Sequence, residues 1–518
     1  MYRYIQDHPR QLVTWLLTAV AGFVLLLLWQ AHQGFSLWDE GFLWYGAQRV
    51  LAGEVPLRDF MAYDIGRYYW SAAFMGLMGD NGVVALRIAA TIFEMLALCV
   101  GLVMLRRSSI AQPMQFWVLA AITLVAWMAP QYRVFDISLP ILLIGGLAFL
   151  VERPTQRNYF LAGLIVGLVA VFGRNHGLYG VVGSLAAMLY LAAKRDGPGF
   201  ISAFPAWLAG MFIGYLPVLA FLVFVPGFAQ AYWESIRFLF EIRATNIPLP
   251  IPWPWLVPYS KLPVSEMLSQ FCTGMFFIAI VAFGLLGLVW LFRQRLQNRP
   301  VSPVLVASIC LMLPYAHYAY SRADLEHLAP GIPPSLIGML ALLAGTRAAV
   351  KWSFAALLCG ASLSTMLPAH PWWACHTSLQ CADFRVGKDK LSIDAGTTDN
   401  LVAIGNLAAR FAPGNRSFVV TPFWPGAYAV LDRKSPMWEI YALFPRSVSF
   451  QQAEIERIKA ANPGFIMIYD LALDGRDDLR FRNTHPLIDQ YIRDNYDVLN
   501  ITPRITRFRI YISRQPSL

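Results

Sequence analysis

The chain has 518 residues, 57% of them hydrophobic and 14% charged, with a formal net charge of +10. A soluble domain carries roughly 25% charged residues, so most of this chain faces lipid or other helices. The basic residues fall in short clusters between apolar segments, the pattern of cytoplasmic loops rather than of a nucleic-acid-binding face, and no zinc-finger, P-loop or dinucleotide signature occurs. Arg3 and Arg10 precede an apolar run from Leu12 to Trp29. A signal peptide has a core of about 7–15 residues and a small-residue cleavage site; a run of about twenty is long enough to span a bilayer and reads as an uncleaved first helix.

Ser36-Leu37-Trp38-Asp39-Glu40-Gly41 follows at once. Two carboxylates stand where the chain leaves the membrane. They read either as the cap of the next helix, since Asp before an apolar run is a common N-cap, or as reactive groups. They open a first outside loop of about residues 32–81, and loops of that length in compact proteins are usually functional or disordered. Phe42 to Ala52 is an amphipathic helix expected to lie along the membrane surface. In the turn after it, Arg58 and Asp59 read as a local ion pair or as substrate contacts. Tyr63, Tyr68, Tyr69 and Trp70 read as an interfacial aromatic belt or as a sugar-stacking platform.

Ten more apolar segments follow, at about 82–105, 113–130, 134–151, 158–173, 177–193, 201–225, 268–292, 302–320, 329–345 and 349–367, making about eleven transmembrane helices. With the N-terminus inside, the inside loops carry Arg106 and Arg107, Arg153 and Arg157, Lys194 and Arg195, Arg293, Arg295 and Arg299, then Arg347 and Lys351. The short outside loops carry single basic residues such as Arg133, Arg174 and Arg322. An odd number of spans puts the C-terminus outside. Arg87 and Glu94 lie within the second segment, where charges are functional candidates by default; a structural partner on a neighbouring helix is the reading favoured for each. Asp136 sits at a helix entry facing outside, as an N-cap or a second acidic group. Arg174 could hold a phosphate bidentately or bind lipid headgroups. His317, Tyr320, Arg322, Asp324, Glu326 and His327 are crowded before Pro330, with His327 and a carboxylate as a metal reading that lacks further ligands.

Four of the six cysteines lie in apolar segments, whereas Cys375 and Cys381 bracket a short loop just beyond the last span. A disulfide there fits an oxidising compartment; a metal site on Cys375, His376 and Cys381 is the alternative. From about residue 370 the composition becomes that of a soluble α/β domain. Thr398–Phe411 reads as an amphipathic helix, Arg416–Phe423 as a strand, and Ser449 with Gln452 as a capping box opening a helix to Ala461. Phe465–Tyr469 reads as a buried strand and Thr506–Ser513 as a last strand. The division expected is residues 1–369 as the transmembrane module and 370–518 as the outside domain.

The acidic pair after the first helix, the long first outside loop and a second Asp at the next outside loop resemble the GT-C superfamily of membrane glycosyltransferases. The chain is more closely similar to bacterial relatives of protein O-mannosyltransferases and of the lipid A aminoarabinose transferase. Further segments carry the resemblance: residues 53–60, Arg174 followed by Gly177, Arg322-Ala-Asp324-Leu-Glu-His327, Pro425-Gly-Ala-Tyr428 with Asp432-Arg433, and Asn462-Pro463. It implies a GT-C transmembrane module with a periplasmic domain in a bacterial inner membrane. It also implies a polyprenyl-phosphate sugar donor and a lipid, glycan or protein acceptor used at the outer face. Asp39 carries over as the catalytic acid–base residue, beside Glu40, and Asp136 as the second acidic residue. Arg133 and Arg174 become donor-phosphate contacts, and Arg58, Asp59, Tyr63, Arg322, Asp324 and His327 substrate contacts. Some relatives use a divalent metal; no ligand set for one is placed in this chain. Two other classes compete: a transporter or flippase, which would show repeats and broken helices with midplane polar groups, and a non-catalytic cell-envelope assembly protein.

Overall fold

The structure, a computed structural model, describes residues 17, 20–22, 24–25, 27–108, 112–128, 131–193, 196–243, 246–377, 379–499 and 508–514. Arg3, Arg10, Lys194, Arg195 and much of the run from Leu12 lie outside them. The ten later apolar segments are all helical: Val83–Ser108, Met114–Trp127, Val134–Glu152, Gln156–Phe172, Arg174–Ala192, Phe200–Gly214 with Leu216–Phe224, Val264–Leu296, Pro303–Ser321, Pro333–Ala344 and Ala348–Met366. Among the described residues, five helices are long and apolar enough to cross a membrane alone, and two bent pairs raise that to seven. The expected count of about eleven also takes in the first run and shorter helices such as Met114–Trp127, of 14 residues.

The bends have sequence causes. Phe200–Gly214 meets Leu216–Phe224 at 57°, where Pro217 lacks an N–H and its ring clashes with the carbonyl four residues back. Leu325–Gly331 meets Pro333–Ala344 at 51°, where Pro333 and Pro334 do the same.

Two compact units emerge: Met1–Ala31, Ala90–Phe221 and Thr245–Ala374 in one, and His32–Ala89, Leu222–Ala244 and Cys375–Leu518 in the other. In the first, Gln156–Phe172 packs closely on Phe200–Gly214 through two glycine pairs. A Cβ on Gly163 or Gly167 would strike the carbonyl of Trp207 or Met211, and one on Gly210 or Gly214 that of Phe160 or Leu164. Small residues four apart let backbones approach where lipid supplies no hydrophobic drive.

The second unit joins residues 32–89 and 222–244 to the C-terminal segment. Its four-stranded sheet has the order β3-β4-β6-β5, with β3 (Val419–Thr421) parallel to β4 (Phe465–Tyr469), and β6 (Phe508–Ser513) antiparallel to both β4 and β5 (Tyr496–Val498). Ile458, Ile466, Ile468, Phe481, Ile488 and Ile492 form the core beneath it. A hairpin of β1 (Cys381–Val386) and β2 (Asp389–Asp394) precedes the sheet, and Cys375 and Cys381 form a disulfide, not a metal pair.

Two expectations need correction. The helix Val448–Ala461 is capped by Ser447, whose side chain accepts from Phe450 N, so its cap lies two residues before the expected Ser449. The expected surface helix is Asp39–Leu51, and Glu40 to Gln48 are all buried within its own unit. Its apolar character reflects a core position rather than a lipid-facing one.

A buried polar network ties the sheet unit together. Glu439 accepts from Arg446 Nε at 2.6 Å and pairs with His485 Nε2 at 2.7 Å. Burial alone would raise its carboxyl, but these two partners hold it below the usual carboxylate range. Glu454 is also buried; only Arg457 opposes burial with charge, Glu439 repels it, and it is pushed up to about 7.

Candidate functional site

The two carboxylates of the Trp38-Asp39-Glu40 stretch have separate fates. Trp38 occupies the N-cap position and makes no side-chain cap bond, so Asp39 is in the first turn and is not the cap. Glu40 is enclosed. Arg87 Nε and Nη2 donate to its two oxygens at 2.7 and 2.9 Å, and Nη2 and Nη1 also donate to the carbonyls of Gly34 and Gln33. Both side chains of this pair are at most 5% exposed. Glu40 is thereby a structural anion, and Arg87 has the partner on another helix that its intramembrane sequence position called for. Glu94 has no such partner: its Oε1 is buried without a hydrogen bond among the described residues.

Asp39 is half-buried. Its Oδ1 accepts from Tyr441 Oη at 3.3 Å; no partner for Oδ2 is found among the described residues. Tyr441 stands edge-on to Phe42 at 5.4 Å, and Phe42 meets Tyr63 on its other side at 4.9 Å. Trp38 stacks on Phe423 at 4.9 Å. Asp39 and Tyr63 therefore share one aromatic neighbourhood. The helix carrying Asp39 is pinned to the C-terminal segment by Ser435 N donating to Tyr45 Oη at 3.0 Å, Gln48 Nε2 to Ala429 O at 3.2 Å and Gly426 N to Leu37 O at 3.0 Å. Gly41 and Gly426 touch backbone to backbone, with no room for a Cβ at Gly41.

Arg58 and Asp59 form a bidentate pair at 2.9 and 2.8 Å, and Asp59 Oδ2 also accepts from Val55 N at 2.7 Å. The hydrogen bonds from Arg58 hold the Asp59 carboxyl below its usual range against the opposing effect of burial. The pair braces the turn, as its local reading expected.

The other unit holds a second cluster. Asp136 is in the first turn of Val134–Glu152, whose N-cap is Arg133, so it too is not a cap. His176 Nε2 lies 3.1 Å from Asp136 Oδ1, and His176 Nδ1 lies 2.9 Å from Tyr315 Oη. All three side chains are buried, and a neutral His176 satisfies both neighbours if Nε2–H donates to Asp136 and Tyr315 donates to Nδ1. Tyr318 lies against both His176 and His327. Asp324 caps Leu325–Gly331 through His327 N and also pairs with His327 Nδ1 at 2.7 Å and Arg322 Nε at 2.6 Å. Asn246 reaches His327 Nε2 at 2.7 Å. Arg133 lies 3.9 Å from Glu326, which also bonds Tyr132 Oη. Arg174 opens Arg174–Ala192 and is half-buried.

Within this unit the structure thus joins Arg322, Asp324 and His327, and draws Asp136 to a histidine that sequence reasoning passed over. The signal for His176 was there, a titratable group at the start of an apolar helix, which calls for a partner. Tyr441 carries no local signal. No three His, Cys, Asp or Glu side chains converge as metal ligands among the described residues, and no step below runs through a metal.

No protein-family profile matches the chain, and no curated protein matches it in sequence. Among solved structures, ArnT from Cupriavidus metallidurans bound to undecaprenyl phosphate is similar over 96% of this chain and 98% of its own, with a TM-score of 0.53 and 12% identity. ArnT in the apo state gives the same values. The archaeal oligosaccharyltransferase AglB from Archaeoglobus fulgidus, in complex with an inhibitory peptide and a dolichol-phosphate, is similar over 99% of this chain and 75% of its own. Its TM-score is 0.47 and its identity 11%.

Proposed function

We propose that this chain, which has the GT-C fold seen in ArnT, is a glycosyltransferase. It would move a sugar from a polyprenyl-phosphate donor to an acceptor hydroxyl at the outer face of a bacterial inner membrane. The observation that carries the reading is the asymmetry of the acidic pair: Glu40 is neutralised by Arg87, whereas Asp39 keeps one carboxylate oxygen without a partner among the described residues.

A hydroxyl is a weak nucleophile until a positioned base accepts its proton. In the proposed step the acceptor oxygen attacks the anomeric carbon and its proton passes to Asp39 Oδ2. The bond from that carbon to the phosphate oxygen breaks, and the electron pair leaves with the polyprenyl phosphate. One in-line displacement inverts the anomeric centre. Arg133 and Arg174 are the proposed donor-phosphate contacts, whose charge would stabilise the leaving group as charge develops on it. Asp136, held by His176, is the proposed second acidic group, and Tyr63, which packs on Phe42 as Tyr441 does, a proposed sugar contact. The disulfide Cys375–Cys381 supports an oxidising, periplasmic location for the segment that carries it.

The test supplies purified protein in detergent with tritiated undecaprenyl-phosphate hexoses and aminoarabinose, and with lipid, glycan and protein extracts as acceptors. Wild type transfers label, and Asp39→Asn loses about 10²–10⁴ in turnover while melting normally. Equal turnover in both proteins removes Asp39 as the base. A second reading, transport of the lipid-linked sugar, draws on the buried Asp136–His176–Tyr315 chain, because intramembrane titratable chains also serve as relays in transporters. Movement of labelled donor across vesicles without transfer would favour it.

A further inference from the structure

We infer that Tyr441 is a positioning residue for Asp39, and that the C-terminal segment is therefore part of the reaction centre rather than an appendage. The inference rests on the reading of Asp39 as base. Tyr441 is 8% exposed, and its hydroxyl reaches the Asp39 carboxylate from the opposite end of the chain, 402 positions away.

Both ends of this hydrogen bond are held. Asp39 begins a helix fixed to the C-terminal segment through Tyr45, Gln48 and Leu37. Tyr441 is wedged between Phe42 and Phe423, at 5.4 and 6.2 Å, and the backbone of the next residue donates to Pro422 O at 2.7 Å. Phenylalanine would fill the same apolar wedge. What tyrosine adds is the hydroxyl, and a buried tyrosine hydroxyl normally finds a partner.

The consequence is geometric. A carboxylate at the first turn of a helix, with no cap role, is free to rotate. A single donor on Oδ1 restrains that rotation and leaves Oδ2 for the acceptor hydroxyl. At 3.3 Å the bond is longer than the usual O–H···O separation; catalytic hydrogen bonds of this kind are often long before substrate binds and tighten in the complex. Orientation of a base contributes to the rate of the chemical step and not to donor binding, which separates it from a packing role.

The experiment uses the full chain and the tritiated undecaprenyl-phosphate sugars above, in wild type, Tyr441→Phe, Asp39→Ala and the double variant. Tyr441→Phe lowers kcat about ten- to a hundredfold, leaves KM for the donor within about twofold, and melts like wild type. Added to Asp39→Ala, it costs nothing further, because its only route to the reaction has gone. Wild-type kcat in Tyr441→Phe, or losses that multiply in the double variant, overturns the inference while the function stands. Wild-type turnover in Asp39→Ala overturns the base and Tyr441 with it.

Discussion

Removing Arg87 should destabilise the protein strongly. Arg87 and Glu40 are both nearly inaccessible to water and joined by two hydrogen bonds, at 2.7 and 2.9 Å. Against a well-packed apolar pair such a bridge is worth little, because desolvation offsets the attraction; breaking it from one side strands a buried charge and costs about 3–5 kcal/mol. Arg87→Met strands Glu40. For a unit of about 150–250 residues each kcal/mol corresponds to roughly 2–4 °C, so the melting temperature should fall by roughly 6–20 °C. The double variant Glu40→Leu/Arg87→Met should recover part of that loss. It stays below wild type by about 1–3 kcal/mol, since the carbonyls of Gln33 and Gly34 also lose their donor, at about 1 kcal/mol each. The assay is thermal melting in detergent, followed by intrinsic fluorescence and by size-exclusion recovery. An Arg87→Met protein that melts like wild type would refute the assignment of Glu40 as a buried, neutralised anion.

Gly41→Ala should lower stability by about 1–3 kcal/mol, the usual range for overpacking, because the new methyl meets the backbone of Gly426. It should also lower transfer with Asp39 still present, and wild-type melting and turnover together would show that the two backbones can separate without cost. Glu454 makes the sheet unit less stable as pH rises. Its folded pKa of about 7 lies above the ordinary 4.5, so the folded state binds the extra proton, and stability present at pH 4.5 is lost as pH climbs to 7, by roughly 3 kcal/mol. Glu454→Gln should flatten that slope in urea titrations across the window, and an unchanged slope would discard Glu454 as its source.

Much of the architecture was legible along the chain. Hydropathy and period are local properties, so the ten later apolar segments and the strand Phe465–Tyr469 emerge near their expected places. Cys375 and Cys381, six positions apart, are paired as their spacing suggested. A likeness to a membrane-protein family was readable in short motifs, and the fold is similar to that of ArnT over 96% of this chain. Asp39 and Asp136 both lie in the first turn of a helix, near the helix entries where the sequence put them.

Tertiary structure alone decided what each charged group can do. Sequence marks Asp39 and Glu40 as neighbours and as equals. They differ because Arg87, 47 positions on, takes both oxygens of Glu40, and Tyr441, 402 positions on, takes one oxygen of Asp39. The same holds for Asp136, whose partner His176 is 40 positions away, and for the helix Asp39–Leu51, whose amphipathic pattern reads equally as a lipid-facing surface or a buried core. Hydropathy says that a side chain leaves water, and only the packed fold says which group meets it there.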